Sequence, residues 1–153
     1  MDLVLWRHAE AHEALEGGDD MARVLTSRGE KQAFRMAAWL DRQLPESTRI
    51  LVSPARRTEQ TVAALQRKFK VSPELSPGCS VDELLALAQW PDGKGCVLVV
   101  GHQPTLGQTI ARLMGLSASE CAFKKGAVWW LRSRSRDAIV QTVLVTVQSP
   151  EVL

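Results

Sequence analysis

Leu3-Val4-Leu5-Trp6-Arg7-His8 opens the chain with an apolar run that ends in a cation and an imidazole. A short, unbroken run of large apolar residues reads as a strand covered on both faces. Two further runs follow the same plan. Ile50-Leu51-Val52 leads into Ser53-Pro54-Ala55-Arg56-Arg57, and Val97-Leu98-Val99-Val100 leads into Gly101-His102. Open α/β sheets bind their ligands at the C-terminal ends of their strands. Three strands ending in Arg-His, Ser-Pro-Ala-Arg-Arg and Gly-His therefore bring residues suited to attacking or holding phosphate to one edge.

Helical patterns separate these runs. Ser27 with Glu30 reads as a capping box. It opens a helix that carries Ala33, Met36, Ala37, Leu40 and Leu44 on one face and ends at Pro45. A second helix is expected from near Pro54, with Val62, Leu65 and Phe69 on one face. Pro73 and Pro77 bracket a loop with at most a short strand. Ser80 and Glu83 form another capping box, ahead of Leu84, Leu85, Leu87 and Ala88. Pro104 suits the first position of a fourth helix, and Gly115 its end. Two late strands, 127–132 and 139–147, are joined through 133–137 as a hairpin, and one of Trp129 and Trp130 should face the core. The tail 149–153 is expected to fray. The alternation predicts an α/β fold: a three-layer α/β/α sandwich around a mostly parallel sheet, with antiparallel strands at one edge. Residues 1–153 read as one domain.

Composition narrows the function classes. The 153 residues are 45% apolar and 24% charged, with a formal net charge of +2. That surplus is too small to argue for nucleic acid. The run Arg132, Arg134, Arg136 reads as a solvated hairpin end. No apolar stretch is long enough for a bilayer, and the N-terminus enters a strand without signal-peptide character, so a cytoplasmic location is expected. Cys79, Cys96 and Cys121 have no metal-ligand spacing and suggest no disulfide framework.

In this order the motifs resemble those of the histidine phosphatase superfamily, which includes phosphoglycerate mutases. The short chain is most similar to small phosphohistidine phosphatases of the SixA type. Leu5-Trp6-Arg7-His8-Ala9-Glu10 matches the N-terminal Arg-His-Gly motif. Arg23 to Ala33 matches "R-x-L-T-x-x-G-x-x-Q-A". Ser53 to Thr61 matches "S-P-x-x-R-A-x-Q-T", and Val100-Gly101-His102-Gln103-Pro104 the late Gly-His motif. The resemblance implies a phosphoglycerate mutase-like fold and His8 as a nucleophile that carries the phosphoryl group. It implies Arg7, Arg57 and His102 as groups that bind phosphate oxygens. The chemistry agrees. Phosphoryl transfer is catalysed mainly by positioning and charge stabilisation, an imidazole can form a covalent intermediate, and arginine forks bind phosphate in bidentate fashion. No metal or other cofactor is implied.

Individual residues carry competing readings. Arg56 and Arg57 point about 100° apart at a helix start, following from ~3.6 residues per turn, so only one faces the pocket. The family motif selects Arg57 and leaves Arg56 a surface charge. Ser53 donates to phosphate or caps helix two, and the cap is the preferred role. His12 reads as a surface histidine, Arg23 and Arg28 as a solvated face, and Glu10 as a loop charge close to His8. Ala9 replaces the usual glycine, which is tolerable only with an ordinary backbone there. The family's glutamate acid has no clear counterpart. Asp82 and Glu83 are the only candidates, and Glu83 already serves a capping box. A weak acid and an expected open pocket point to phosphohistidine on a phosphorylated partner protein, since imidazole leaves with far less help than an alkoxide. A small phosphoester substrate and a non-catalytic phospho-binding module remain alternatives. A monomer, with no nucleic-acid or membrane partner, is expected.

Overall fold

β1 (Asp2–Arg7) and β4 (Cys96–Gly101) lie side by side at the centre of a six-stranded sheet. This computed structural model covers residues 1–153. The other strands are β2 (Arg49–Val52), β3 (Lys70–Val71), β5 (Val128–Arg136) and β6 (Ile139–Gln148). The sheet runs β3-β2-β4-β1-β5-β6. Pairing is parallel from β3 to β1 and antiparallel for β1–β5 and β5–β6. Four helices connect the strands: α1 (Ser27–Gln43), α2 (Arg56–Ala63), α3 (Val81–Ala88) and α4 (Thr105–Met114). No helix is long and apolar enough to cross a membrane.

The three layers follow from the period-2 alternation of strand side chains. Val4, Trp6, Ile50, Val52, Leu98 and Val100 face Met36, Ala37 and Leu40 of α1 and Val62 of α2. Leu3, Leu5, Leu51, Val97 and Val99 face Leu84 and Ala88 of α3 and Leu106 and Ile110 of α4. Both faces are thus covered, which is why these strands read as continuous apolar runs. Each fully buried large side chain contributes about 1.5–3 kcal/mol relative to exposure. Trp130 joins the first core and Trp129 packs beside the second.

Several element ends differ from the sequence reading. Thr26, not Ser27, caps α1: its hydroxyl accepts from the Gly29 amide at 3.0 Å and donates to Glu10 Oε1 at 2.8 Å. The shift is one residue, because the loop after β1 supplies Thr26 with a second partner. α2 stops at Ala63, since Gln66 turns left-handed (φ 55°). Leu65 stays buried, while Phe69 falls outside the helix and is half-exposed. The hairpin is tighter than expected. Asp137 and Ala138 are both left-handed (φ 52° and 65°), as a two-residue primed turn requires. Pairing therefore extends to Arg136 and Ile139. The tail does not fray: a 3-10 turn at Pro150–Val152 buries Pro150, whose carbonyl accepts from Arg35 Nη1 at 3.2 Å.

Gly29 allows α1 to touch the loop that follows the first strand. A Cβ there would run into the Glu10 carbonyl. Gly29→Ala is expected to cost about 1–3 kcal/mol, as overpacking does. A urea unfolding midpoint equal to wild type would show that the loop gives way freely.

Candidate active site

The site is assembled by strand register. Arg7 pairs with Gly101 and Val52 with Val100. His8 and His102 therefore emerge side by side just beyond β1 and β4, with Ser53 flanking them beyond β2. The imidazole centroids are 5.3 Å apart. The backbone holds these ends firmly: the His8 amide donates to the Gly101 carbonyl at 3.2 Å, and the Ser53 amide to the Val100 carbonyl at 3.1 Å.

His8 has a defined tautomer. Its Nδ1 lies 2.8 Å from the Ala9 carbonyl oxygen, which can only accept, so Nδ1 carries the proton. Nε2 is left as an unprotonated lone pair, the form a nucleophile needs. Burial, together with the charges of Arg57, Arg7 and Arg23, lowers His8 to about 4; only the hydrogen bond to Ala9 opposes them. Burial and Arg57 also take His102 down to about 3. Both rings are neutral at neutral pH. Ala9 has no positive φ, so replacing glycine costs no backbone strain here. The Ala9 amide donates to Thr61 Oγ1 at 3.1 Å, and that hydroxyl donates to the Arg57 carbonyl at 2.7 Å. Thr61 thus ties the loop after β1 to α2.

The four residues Arg7, His8, Arg57 and His102 come together. Arg57, in the first turn of α2, is only 4% exposed, whereas Arg56 is exposed. Arg7 donates from Nη1 to the Phe123 carbonyl at 2.6 Å. Arg7 Nε, Arg57 Nε and His102 Nδ1 are buried without partners in the protein. Buried polar atoms without a partner are costly, and the two arginine Nε atoms among them are fixed donors. Their concentration on these residues marks where an anionic ligand would be received.

Ser53 does not cap α2. Its hydroxyl is hydrogen bonded to His102 Nε2 at 2.7 Å and accepts from the Ala55 amide at 3.3 Å. The N-cap is Ala55, with no side-chain bond. Ser53 meets the cluster through His102, because register sets it beside that ring. Asp82 and Glu83 are not brought to the cluster. Asp82 is exposed and paired with Arg112, in the last turn of α4 and so at the far end from His102. Glu83 accepts from the Ser80 amide at 3.1 Å as the expected capping box. Glu10 is engaged by Thr26, and His12 is exposed. His8 is 6% and His102 5% exposed, so both rings sit below the surface.

The carboxylate that does reach the cluster is Asp20, in the 3-10 turn Asp20–Ala22 between β1 and α1. Its carbonyl accepts from Arg57 Nη1 at 2.8 Å and its Oδ2 from Nη2 at 3.1 Å. The only local signal was an acidic pair, Asp19-Asp20, three residues ahead of Arg23.

The two neutral imidazoles make stability depend on pH. The unfolded chain takes up protons near the ordinary imidazole value of 6.5, whereas the folded chain resists to about 4 and about 3. Stability is therefore full above 6.5 and lost as pH falls through this window, by up to about 1.4 kcal/mol per histidine per pH unit. Urea unfolding should show a lower midpoint at pH 5 than at pH 7.5. Replacing His8 and His102 together by Asn should flatten that dependence, and an unchanged slope would contradict it.

The geometry has relatives. The Histidine phosphatase superfamily (branch 1) sequence model matches residues 3–80. Phosphohistidine phosphatase SixA of Escherichia coli is 36% identical over 121 residues, covering 74% of this chain and 74% of that protein. The phosphohistidine phosphatase SixA homolog of Haemophilus influenzae is 33% identical over 131 residues, covering 75% and 78%. Among solved structures, the protein histidine phosphatase SixA complexed with tungstate has a TM-score of 0.79 and 27% identity, with 99% of each chain covered. The matched length and the phosphoglycerate mutase-like sheet agree, and the chain belongs to the histidine phosphatase superfamily, branch 1, as a SixA-like phosphatase.

Proposed function

We propose that this chain hydrolyses phosphohistidine on a partner protein, without a metal, through a phosphoryl intermediate on His8. The observation that carries the reading is the pair of neutral imidazoles, 5.3 Å apart, set among Arg7 and Arg57 with their unpartnered buried donors. In the first step His8 Nε2 attacks phosphorus as the phosphorus–nitrogen bond breaks, and the substrate ring, already protonated on its other nitrogen, leaves as neutral imidazole. Arg7 and Arg57 take up the charge on the equatorial oxygens. In the second step water attacks the phosphorylated His8, releasing inorganic phosphate and restoring the ring. A phosphoryl dianion beside His102 opposes the cationic charges that keep it neutral, so binding favours the imidazolium and a further charged donor.

The substrate class follows from leaving-group chemistry. Asp82 and Glu83 are engaged away from the cluster, and the carboxylate present, Asp20, is held by arginines. Burial raises the Asp20 carboxyl, but the Arg23 hydrogen bond and the Arg57 charge outweigh it and hold it below the usual carboxylate range. An ionised carboxylate is a poor proton donor to an alkoxide. Imidazole needs much less protonation.

The test is a single-turnover assay with a phosphohistidine-bearing protein beside an aryl phosphate, with EDTA present. Fast, His8-dependent loss of phosphohistidine with slow aryl phosphate hydrolysis is the expected result. The opposite preference would move the substrate to phosphoesters. Loss of activity in EDTA would refute the metal-free mechanism, and phosphate binding without turnover would leave a binding module.

A further inference from the structure

Asp20 grips one edge of Arg57 and leaves the other unpartnered. A guanidinium offers two forks, one formed by Nη1 with Nη2 and one by Nε with Nη2. Asp20 takes the first, through its carbonyl on Nη1 at 2.8 Å and Oδ2 on Nη2 at 3.1 Å. Arg57 Nε is buried and has no partner. The free fork is therefore Nε with the second hydrogen of Nη2. The other carboxylate oxygen, Oδ1, accepts from Arg23 Nη1 at 3.2 Å, and Arg23 Nε donates to the His12 carbonyl at 2.7 Å. The turn itself is braced: the Asp19 side chain accepts from the Met21 amide at 3.0 Å.

We propose that Asp20 is a positioning residue for the phosphoryl site: it holds the buried Arg57 by one edge so that the Nε edge meets the phosphoryl oxygens. The inference rests on the reading of this cluster as a phosphoryl site, and it adds a carboxylate that acts through Arg57. Asp20 is itself 54% exposed at its side chain, so removing it empties no core. It also offsets one positive charge while leaving Arg57 oriented. A rigidly held fork loses less freedom on binding than a free one. The loop from His12 to Val24 is thereby fastened to the site at Arg57.

The test is a double-mutant cycle read by calorimetric binding of inorganic phosphate and by single-turnover phosphorylation of His8. Asp20→Ala is expected to weaken phosphate binding and slow phosphorylation by about tenfold each, the scale of a coupled charged pair. Asp20→Asn, which keeps an acceptor for Nη2, should lie between Asp20→Ala and wild type. In an Arg57→Lys background, which has no fork to orient, Asp20→Ala should change either measurement by less than about twofold. Equal losses in both backgrounds would show that Asp20 does not act through Arg57. Unchanged phosphate binding in Asp20→Ala would likewise overturn the proposal. Tighter binding would overturn it too, because Asp20 would then compete with phosphate for Arg57. Phosphate binding is measured without turnover, so failure of the phosphohistidine reading would appear separately, as wild-type protein that binds phosphate and transfers nothing.

Discussion

His8→Ala is expected to abolish single-turnover hydrolysis, lowering the rate by about 10⁴-fold or more, as losing a covalent nucleophile does. The expectation is specific to Nε2. The Ala9 carbonyl commits Nδ1 to carry the proton, so the free lone pair is on the other nitrogen. His8→Asn separates chemistry from binding. Its amide nitrogen can still donate toward Ala9, and Arg7, Arg57 and His102 remain in place. It should therefore bind inorganic phosphate near wild-type affinity and form no phosphoenzyme. Rapid-quench trapping of acid-labile phosphate on the wild-type chain, absent from both variants, is the decisive measurement. Substantial turnover by His8→Asn would mean that water attacks the substrate directly and that the covalent route is wrong.

The parts legible in the sequence were those set by a repeating pattern. Val4, Trp6, Leu98 and Val100 face one core, and Leu3, Leu5, Val97 and Val99 the other, and this alternation gives the parallel centre of the sheet. Register then delivers His8 and His102 together. What stayed hidden depends on contacts between distant residues. Ser53 looked like a cap because serine precedes helices, but its partner is a ring on the next strand. Thr26 displaced Ser27 because Glu10 gave it a second hydrogen bond. Asp137-Ala138 contains no glycine, so the tight turn left no conventional mark. Asp20 lies in a loop without periodicity, and only the folded chain returns that loop to α2. Asp82 reads from the sequence as a candidate acid, yet α3 turns it toward Arg112.

The arginine pair offers the other large expected effect. Arg57→Ala should lower the single-turnover rate by about 10²–10³-fold, the scale of removing a preorganised donor to developing charge. Arg56→Ala should stay within about twofold, as surface substitutions do. Two adjacent residues of one type thus make an internal control. They share a helix turn, a backbone and a local charge, and differ in direction. Arg57 is buried with its Nε unpartnered, while Arg56 points to solvent. Long-range field alone would make the two losses similar, and more so at low salt. A fork contact makes them unequal at any ionic strength. Arg57→Lys sharpens the distinction, because it keeps the charge and removes the bidentate geometry. A rate for Arg57→Lys near that of Arg57→Ala would assign the effect to the fork, and one near wild type would assign it to charge. Equal losses for Arg56→Ala and Arg57→Ala, measured at both low and moderate salt, would refute the placement of Arg57 at the phosphoryl group.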